Sequence, residues 1–312
     1  EESLESLLDL ADHLYQDDKL LKAARVLRQV RNSKECTQDL NKEHIDLIHL
    51  ADECENLVQV LEIDASDDND GWICALKNTK KELTDGEVRG GTDISYKTND
   101  AHTELQLRLE TPIHGTLLVP LISVLNESQL YYTWLPSWRL PPIKFGIRPV
   151  LKLKQIGRCS QVLIITFDPP WPLCPRELIL QATAADDIDD NGDIVIKLDS
   201  LNEGDLDGLV PPVDENTIRL HFNGGFLLRK HPHDPKFILL QFYGHIQGSF
   251  SAPLWFIHFL VKTVVVTCWE MLLNITEEVK NGKREKHATV IQEKWDDLYH
   301  WVETRAADML GF

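Results

Sequence analysis

The stretch Pro253-Leu254-Trp255-Phe256-Ile257-His258-Phe259-Leu260-Val261-Lys262-Thr263-Val264-Val265-Val266-Thr267-Cys268-Trp269-Glu270-Met271-Leu272-Leu273 decides how the chain is read. It is long enough to cross a bilayer, which takes about 20 apolar residues. Lys262 falls near its middle, where a lysine costs about 2.5–3.5 kcal/mol on insertion scales, and His258 and Glu270 add to that cost. Leu254, Ile257, Val261, Val264, Cys268, Leu272 and Ile275 share one helical stripe, whereas Lys262, Glu270 and Asn274 lie off it. The pattern predicts a helix over about 253–275, packed along one face rather than inserted in lipid. Trp255, Phe256, Phe259 and Val265 lie off the stripe and call for a second surface, whether ligand, protein or membrane.

The chain before this helix supplies strands to cover it. Leu105, Leu107 and Leu109 alternate with Glu104, Gln106 and Arg108, and Thr92-Asp93-Ile94-Ser95-Tyr96-Lys97 alternates likewise. Strict alternation marks a strand with one buried face. Further strands are predicted over 150–157, 161–167, 177–186, 193–200, 217–223 and 236–246, with a helix over 115–131. An amphipathic helix is predicted over about 288–309. Antiparallel strands bracketed by helices give an α+β fold, not a doubly wound sheet.

Residues 1–62 carry the 3.6-residue period instead. Leu4, Leu7, Leu8, Ala11, Leu14 and Tyr15 form one helical pattern, Leu20, Leu21, Ala24, Leu27 and Val30 a second, and Ile45, Ile48, Leu57 and Leu61 a third. Leu10 through Leu27 resembles a single tetratricopeptide hairpin with no second copy. A lone repeat cannot bury its own face, so these helices are expected to pack on the rest of the chain or on a protein partner. Asp64-Ala65-Ser66-Asp67-Asp68-Asn69-Asp70-Gly71 reads as a charged hinge. The organisation expected is a helical region over 1–70, a central domain over 71–280 and a C-terminal amphipathic helix over 281–312.

The 312 residues hold 32 Lys and Arg against 50 Asp and Glu, a formal net charge of −18. Nucleic-acid binding needs cations to displace counterions, so this balance argues against it, and equally against broad adhesion to anionic lipid. Cys36, Cys54, Cys74, Cys159, Cys174 and Cys268 are scattered without paired spacing. That is the pattern of free thiols in a reducing compartment, and a cytoplasmic location is expected. The opening Glu1-Glu2-Ser3, without Met or a signal-peptide pattern, reads as a fragment or a processed chain.

Two motifs have plain readings. Asp187-Ile188-Asp189-Asp190-Asn191-Gly192-Asp193 opens like a calcium loop, but position 12 is Leu198, not the bidentate Glu that closes the cage. It is read as a hairpin at Asn191-Gly192. His231-Pro232-His233-Asp234 is read as a surface turn rather than a metal site. Glycine-rich nucleotide motifs and a nucleophile elbow are absent from the sequence. Neither a catalytic residue nor a cofactor nor a metal is expected.

Three segments in order resemble the START (StAR-related lipid-transfer) domain over roughly residues 92–280. Pro120 through Pro136, ending Tyr131-Tyr132-Thr133-Trp134-Leu135-Pro136, is similar to a short helix running into Trp and Pro. Pro170-Trp171-Pro172-Leu173-Cys174-Pro175-Arg176-Glu177-Leu178 is similar to a Pro-aromatic-Pro turn before an Arg-acid pair. Phe242-Tyr243-Gly244 leads through Gly248 and Pro253 into the long helix. The resemblance implies a helix-grip fold, in which an antiparallel sheet wraps a C-terminal helix around an apolar tunnel that holds one lipid.

Candidate ligand contacts follow from that resemblance. They are Trp134 and Trp138 after the short helix, Phe222 and Phe242 on the apolar phases of their strands, and Trp255 and Phe259 on the long helix. The plain alternative for each is core packing. Arg176 matches the Arg-acid position and is a further candidate ligand contact, for which the resemblance implies a structural ion pair with a nearby carboxylate ahead of a lipid anchor. Ala182 stands where the family often carries a polar group, with Arg219 and His221 as open substitutes. Two loops are candidate gates: 201–216, with Leu206, Leu209 and Val210, and 244–253, with Phe250. The function expected is binding of a lipid for intracellular transfer or sensing, with transient membrane contact. The alternatives are a protein-interaction scaffold and a cyclase- or hydrolase-type enzyme, the latter drawing on His221, Gln241, Tyr243 and His245.

Overall fold

Leu105, Leu107, Leu109, Thr111 and Ile113 are buried and the residues between them are not, along a single ten-residue strand. The same alternation builds the whole sheet. The computed structural model describes residues 4–33, 40–62, 71–77, 89–101, 103–138, 145–169, 173–247 and 254–311. Three helices come first, α1 (Leu4–Gln16), α2 (Leu20–Asn32) and α3 (Lys42–Glu62). Strands β1 (Ile73–Lys77), β2 (Asp93–Thr98) and β3 (Leu105–His114) precede α4 (Leu118–Asn126). Then come β4 (Ser137–Trp138), β5 (Phe145–Ile147), β6 (Leu151–Ile156), β7 (Ser160–Asp168) and β8 (Arg176–Asp187). A helical turn, α5 (Ile188–Asn191), joins β8 to β9 (Asp193–Ser200). The short turn α6 (Asp205–Gly208) precedes β10 (Ile218–Arg219), β11 (His221–Lys230) and β12 (Phe237–Gln247). One helix follows as α7 (Leu254–Phe259), a π-helical turn over Leu260–Val265, and α8 (Val266–Lys280). The chain closes with α9 (Glu285–Glu293), a second π-helical turn over Trp295–Tyr299, and α10 (His300–Leu310).

The strands form one sheet in the order β1-β2-β3-β12-β11-β9-β8-β7-β5-β4. Its neighbours are antiparallel; β6 joins β7, and β10 lies parallel to β8. The fold is α+β with a long C-terminal helix against an antiparallel sheet. Ile257, Val261, Val264, Leu272 and Ile275 of that helix are buried, while Lys262 is exposed. By length and composition the helix would cross a membrane, but here its stripe lies in the main core with the inner sheet face.

Several elements are more finely divided than their sequence pattern. The helix expected over 115–131 breaks into a 3-10 turn, α4 and a second 3-10 segment at Ser128–Thr133. The single helix expected over 288–309 is α9 and α10 with a π-turn between them. The turn at Asp187–Asp193 is a hairpin connection built as one helical turn and closed by Gly192 at φ +71°, where left-handed backbone favours glycine. His231 Nδ1 accepts from the amides of His233 and Asp234 and so caps a turn. Residues 64–70 of the expected hinge lie outside the described residues, as do Pro170-Trp171-Pro172, Gly248, Phe250 and Pro253.

The outer sheet face is also apolar. Ala185, Val195, Leu227 and Tyr243 face outward from β8, β9, β11 and β12 and are buried under Leu21, Ala24 and Leu27 of α2 and Ala51, Cys54 and Leu57 of α3. The small alanines let these helices approach the strands closely. Lys197 of β9 lies in this layer, 1% exposed, and its ammonium pairs with Asp199 and, at 3.5 Å, with Glu53 of α3. Further along, Val162, Ile164 and Ile179 are covered by Val210 and Leu206 of the loop over 201–216. Val210 is thereby taken out of any role as an exposed loop tip, because it closes an apolar strip that water would otherwise wet.

Gly225 shows how tightly α3 is seated. At φ +151°, a Cβ there would lie 2.1 Å from the Ile196 carbonyl oxygen and 2.8 Å from Leu57 Cδ2. Gly225→Ala is expected to lower stability by about 1–3 kcal/mol, the range for overpacking and backbone strain. A fall in the thermal unfolding midpoint, with faster amide exchange along α3, is the result to look for.

Candidate ligand-binding cavity

Between the inner sheet face and the long helix lies a cavity of about 400 Å³. Leu107 and Leu109 of β3, Leu180, Ala182 and Ala184 of β8, and Ile194 and Ile196 of β9 line its sheet side. Phe226, Phe242 and Trp269 add an aromatic cluster, with ring centroids 4.8 Å apart for the first two and 6.4 Å for Phe226 and Trp269. Val264, Cys268 and Leu272 come from the helix, Ile122 and Leu125 from α4, and Tyr131 and Trp134 from the segment after it.

Polar atoms in this wall are few, and nearly all are engaged. Gln161 donates from Nε2 to the Asn126 carbonyl at 3.0 Å and accepts from the Ser128 hydroxyl at 3.3 Å. The Tyr131 hydroxyl donates to the Leu125 carbonyl, and burial pushes its pKa up. Trp269 Nε1 donates to Thr111 Oγ1 at 2.8 Å. Burial holds the Cys159 and Cys268 thiols up at about 12, so both are neutral near pH 7. Arg158 pairs with Asp18 at 3.0 Å and lies over the Trp301 ring. Arg305 binds Asp186, Asp189 at 2.8 Å and Asp308 at 2.7 Å. Trp134 Nε1 has no hydrogen-bond partner among the described residues.

No family model matches the sequence, and no curated protein matches it. Solved structures do match its fold. Human STARD10 superposes with a TM-score of 0.54 at 12% identity, over 88% of this chain and 91% of that one. Human StAR-related lipid transfer protein 5 gives 0.50 at 13% identity, over 74% and 97%. The fold is that of a START domain. At these identities the likeness speaks for the fold alone.

Within this START fold the residues singled out in the sequence fall in different places. Trp134 and Phe242 line the cavity. Phe222 stacks on Phe242 at 6.3 Å, outside the lining. Phe259 packs on Phe145 and Phe256 in the core nearby. Trp255 is 54% exposed at the start of the long helix. Trp138 sits in β4, its backbone paired with Phe145; its side chain lies outside the description. His221 is exposed at the head of β11. Arg219 binds Glu177 Oε1 at 2.8 and 3.0 Å and the Pro211 carbonyl at 2.9 Å, fastening the 201–216 loop to β8. Arg176 pairs with no carboxylate among the described residues; its guanidinium donates to the Cys174 carbonyl. Successive strand residues face opposite sides, so Glu177 is turned toward Arg219 instead. Ala182 lines the cavity, and the polar side chain across from it in register is Gln161 of β7.

The C-terminal helices are part of the cavity wall, a role their sequence pattern did not signal. Leu298, Trp301, Val302 and Arg305 line it from the π-turn and α10. Three contacts seat this module. The Glu127 carboxylate, fully buried, accepts from Lys294 Nζ at 2.7 and 2.9 Å and from the Tyr299 hydroxyl at 2.7 Å. Arg305 reaches the acidic β8–β9 turn, where Lys19 and Arg305 together hold the Asp189 carboxyl down at about 2. Leu310 packs against Gly115, where a Cβ would come within 2.7 Å of its Cδ1.

Arg305→Met is expected to leave the nearly buried Asp186 without its counter-ion and to destabilise by about 2–4 kcal/mol. Faster proteolysis and amide exchange confined to α9 and α10 would show that the wall had loosened. His287 of α9 is buried beside Ser123, and burial lowers its pKa below 6.5. The folded state therefore favours the neutral ring, and stability present above pH 6.5 is lost as pH falls through that value. Exchange of α9 amides, corrected for intrinsic rates, should be faster at pH 5.5 than at pH 7.5, and His287→Gln should remove the difference.

Proposed function

We propose that this protein binds one apolar lipid in the cavity and carries or senses it inside the cell without catalysis. The observation that carries this reading is an apolar, nearly fully satisfied cavity between the sheet and the long helix of a START fold. A void of this kind costs packing energy unless something fills it. An apolar occupant gains about 25 cal/mol for each Å² of apolar surface it removes from water. The volume sits at the lower end of the roughly 300–1,000 Å³ typical of small-molecule sites, which favours a compact lipid.

The four polar strand residues that would suit an enzyme support the non-catalytic reading by their phase. Gln241, Tyr243 and His245 alternate outward, against Glu110, Gln106 and Glu104, and His221 is exposed. Membrane contact in this reading is brief and led by the exposed Leu254 and Trp255, since a chain of net charge −18 gains nothing from anionic headgroups. The outward faces of α1 and α3 keep Leu10, Tyr15 and Ile45 exposed, which favours a second role for the N-terminal helices as a docking surface for a protein partner.

Ala182→Phe tests the reading directly. It places a ring in the cavity from a strand whose backbone it leaves paired. The wild-type chain is expected to extract lipid from mixed vesicles and to retain it in native mass spectrometry. The variant should keep its circular dichroism and lose at least about tenfold in binding. Extraction unchanged in the variant would place the lipid elsewhere.

A further inference from the structure

Among the described residues that line the cavity, Trp134 alone has a buried side-chain polar atom with no hydrogen-bond partner. Its indole is 8% exposed and held edge-on against Tyr131, with ring centroids 5.4 Å apart. The other cavity tryptophan with a buried N–H, Trp269, has Thr111 as acceptor. A buried donor left unpaired is a standing cost that an acceptor in the right place removes.

The charged groups of the wall point the same way by being spent. Arg158 is committed to Asp18 and Trp301. Arg305 is committed to Asp186, Asp189 and Asp308. Asp186 is held by Arg305 in turn. Among the described residues the wall therefore offers no free counter-charge, and an ion drawn into an apolar cavity without one is strongly disfavoured.

We propose that Trp134 is the polar subsite of this cavity, and that it selects an uncharged lipid bearing a hydroxyl or carbonyl oxygen that accepts the Nε1–H. This rests on the cavity being the lipid site and adds the chemistry of the headgroup. Charged and zwitterionic lipids are rejected because nothing in the wall neutralises them. Plain hydrocarbons are bound less well because they leave the donor unpaired.

The test compares three probes of one chain length, hexadecan-1-ol, hexadecane and hexadecanoate, each titrated into the full chain. Wild type should bind the alcohol about tenfold more tightly than the alkane, the factor expected when one buried donor gains its acceptor, and the carboxylate least. Trp134→Phe should bring the alcohol-to-alkane ratio to about one. A second readout does not depend on that variant folding. In protein labelled with ¹⁵N at the indole nitrogens, one buried Nε1–H resonance should shift on adding the alcohol and stay in place on adding the alkane. Equal binding of alcohol and alkane by wild type would overturn the Trp134 subsite and leave the lipid cavity standing. Tightest binding of the carboxylate would overturn the selection for uncharged lipid. Failure of all three probes to bind would overturn the cavity reading itself, and this inference with it.

Discussion

The central strands of this protein are apolar on both faces, and the rest of the structure answers to that. Inward, β8, β9, β11 and β12 present Ala182, Ile196, Phe226 and Leu240; outward they present Ala185, Val195, Leu227 and Tyr243. Neither face can be left to water, since each exposed Å² forfeits about 25 cal/mol. The inner face takes the long helix, which does not fill the space above the sheet, and the remainder is the cavity. The outer face takes α2 and α3. The N-terminal helices are therefore the second cover of the sheet, and Gly225 is the position where strand and helix come too close for a side chain.

Charge organises what hydrophobic burial leaves open. Asp186, Asp187, Asp189 and Asp190 crowd one turn and would repel one another if unpaired. Lys19 and Arg25 from the start of the chain and Arg305 from its end converge on them. One acidic turn thus anchors both terminal regions to the same hairpin. A sequence that opens like a calcium loop is occupied by protein cations. Glu127 plays the matching part at α4, where Lys294 and Tyr299 satisfy a carboxylate that would be prohibitive to bury alone. Through these contacts α10 becomes a cavity wall, so any exchange of cavity contents must reckon with it as well as with the long helix.

The candidate site was legible in part. Trp134 and Phe242 could be picked out because a START-like order of motifs and the apolar phase of β12 both point to them. Trp269, which closes the aromatic cluster, lies off the stripe drawn on the long helix, since a helix packed against both a sheet and α4 buries a wider arc than one stripe. Gln161 carries no motif. It matters because strand register sets it opposite Ala182 and because Asn126 and Ser128 happen to reach it. The pairing expected of Arg176 went instead to Arg219, through a parallel contact between β10 and β8 that no local pattern announces.

Periodicity is a local property, and the chain alone therefore determined the long strands, the helical regions, the α+β class and the exclusion of nucleotide-binding motifs, but not the short strands β1, β4 and β5 or the breaks within the helices. A period of two or 3.6 residues states which side of an element shuns water. It does not state which other element will cover that side, because that depends on register, on turn geometry and on pairings between residues more than a hundred positions apart, such as Arg305 with Asp186 and Glu127 with Lys294. Only the tertiary structure could decide that the last helix closes the cavity, that α2 and α3 cover the sheet from behind, and that one indole N–H remains unpaired among the described polar groups of the wall.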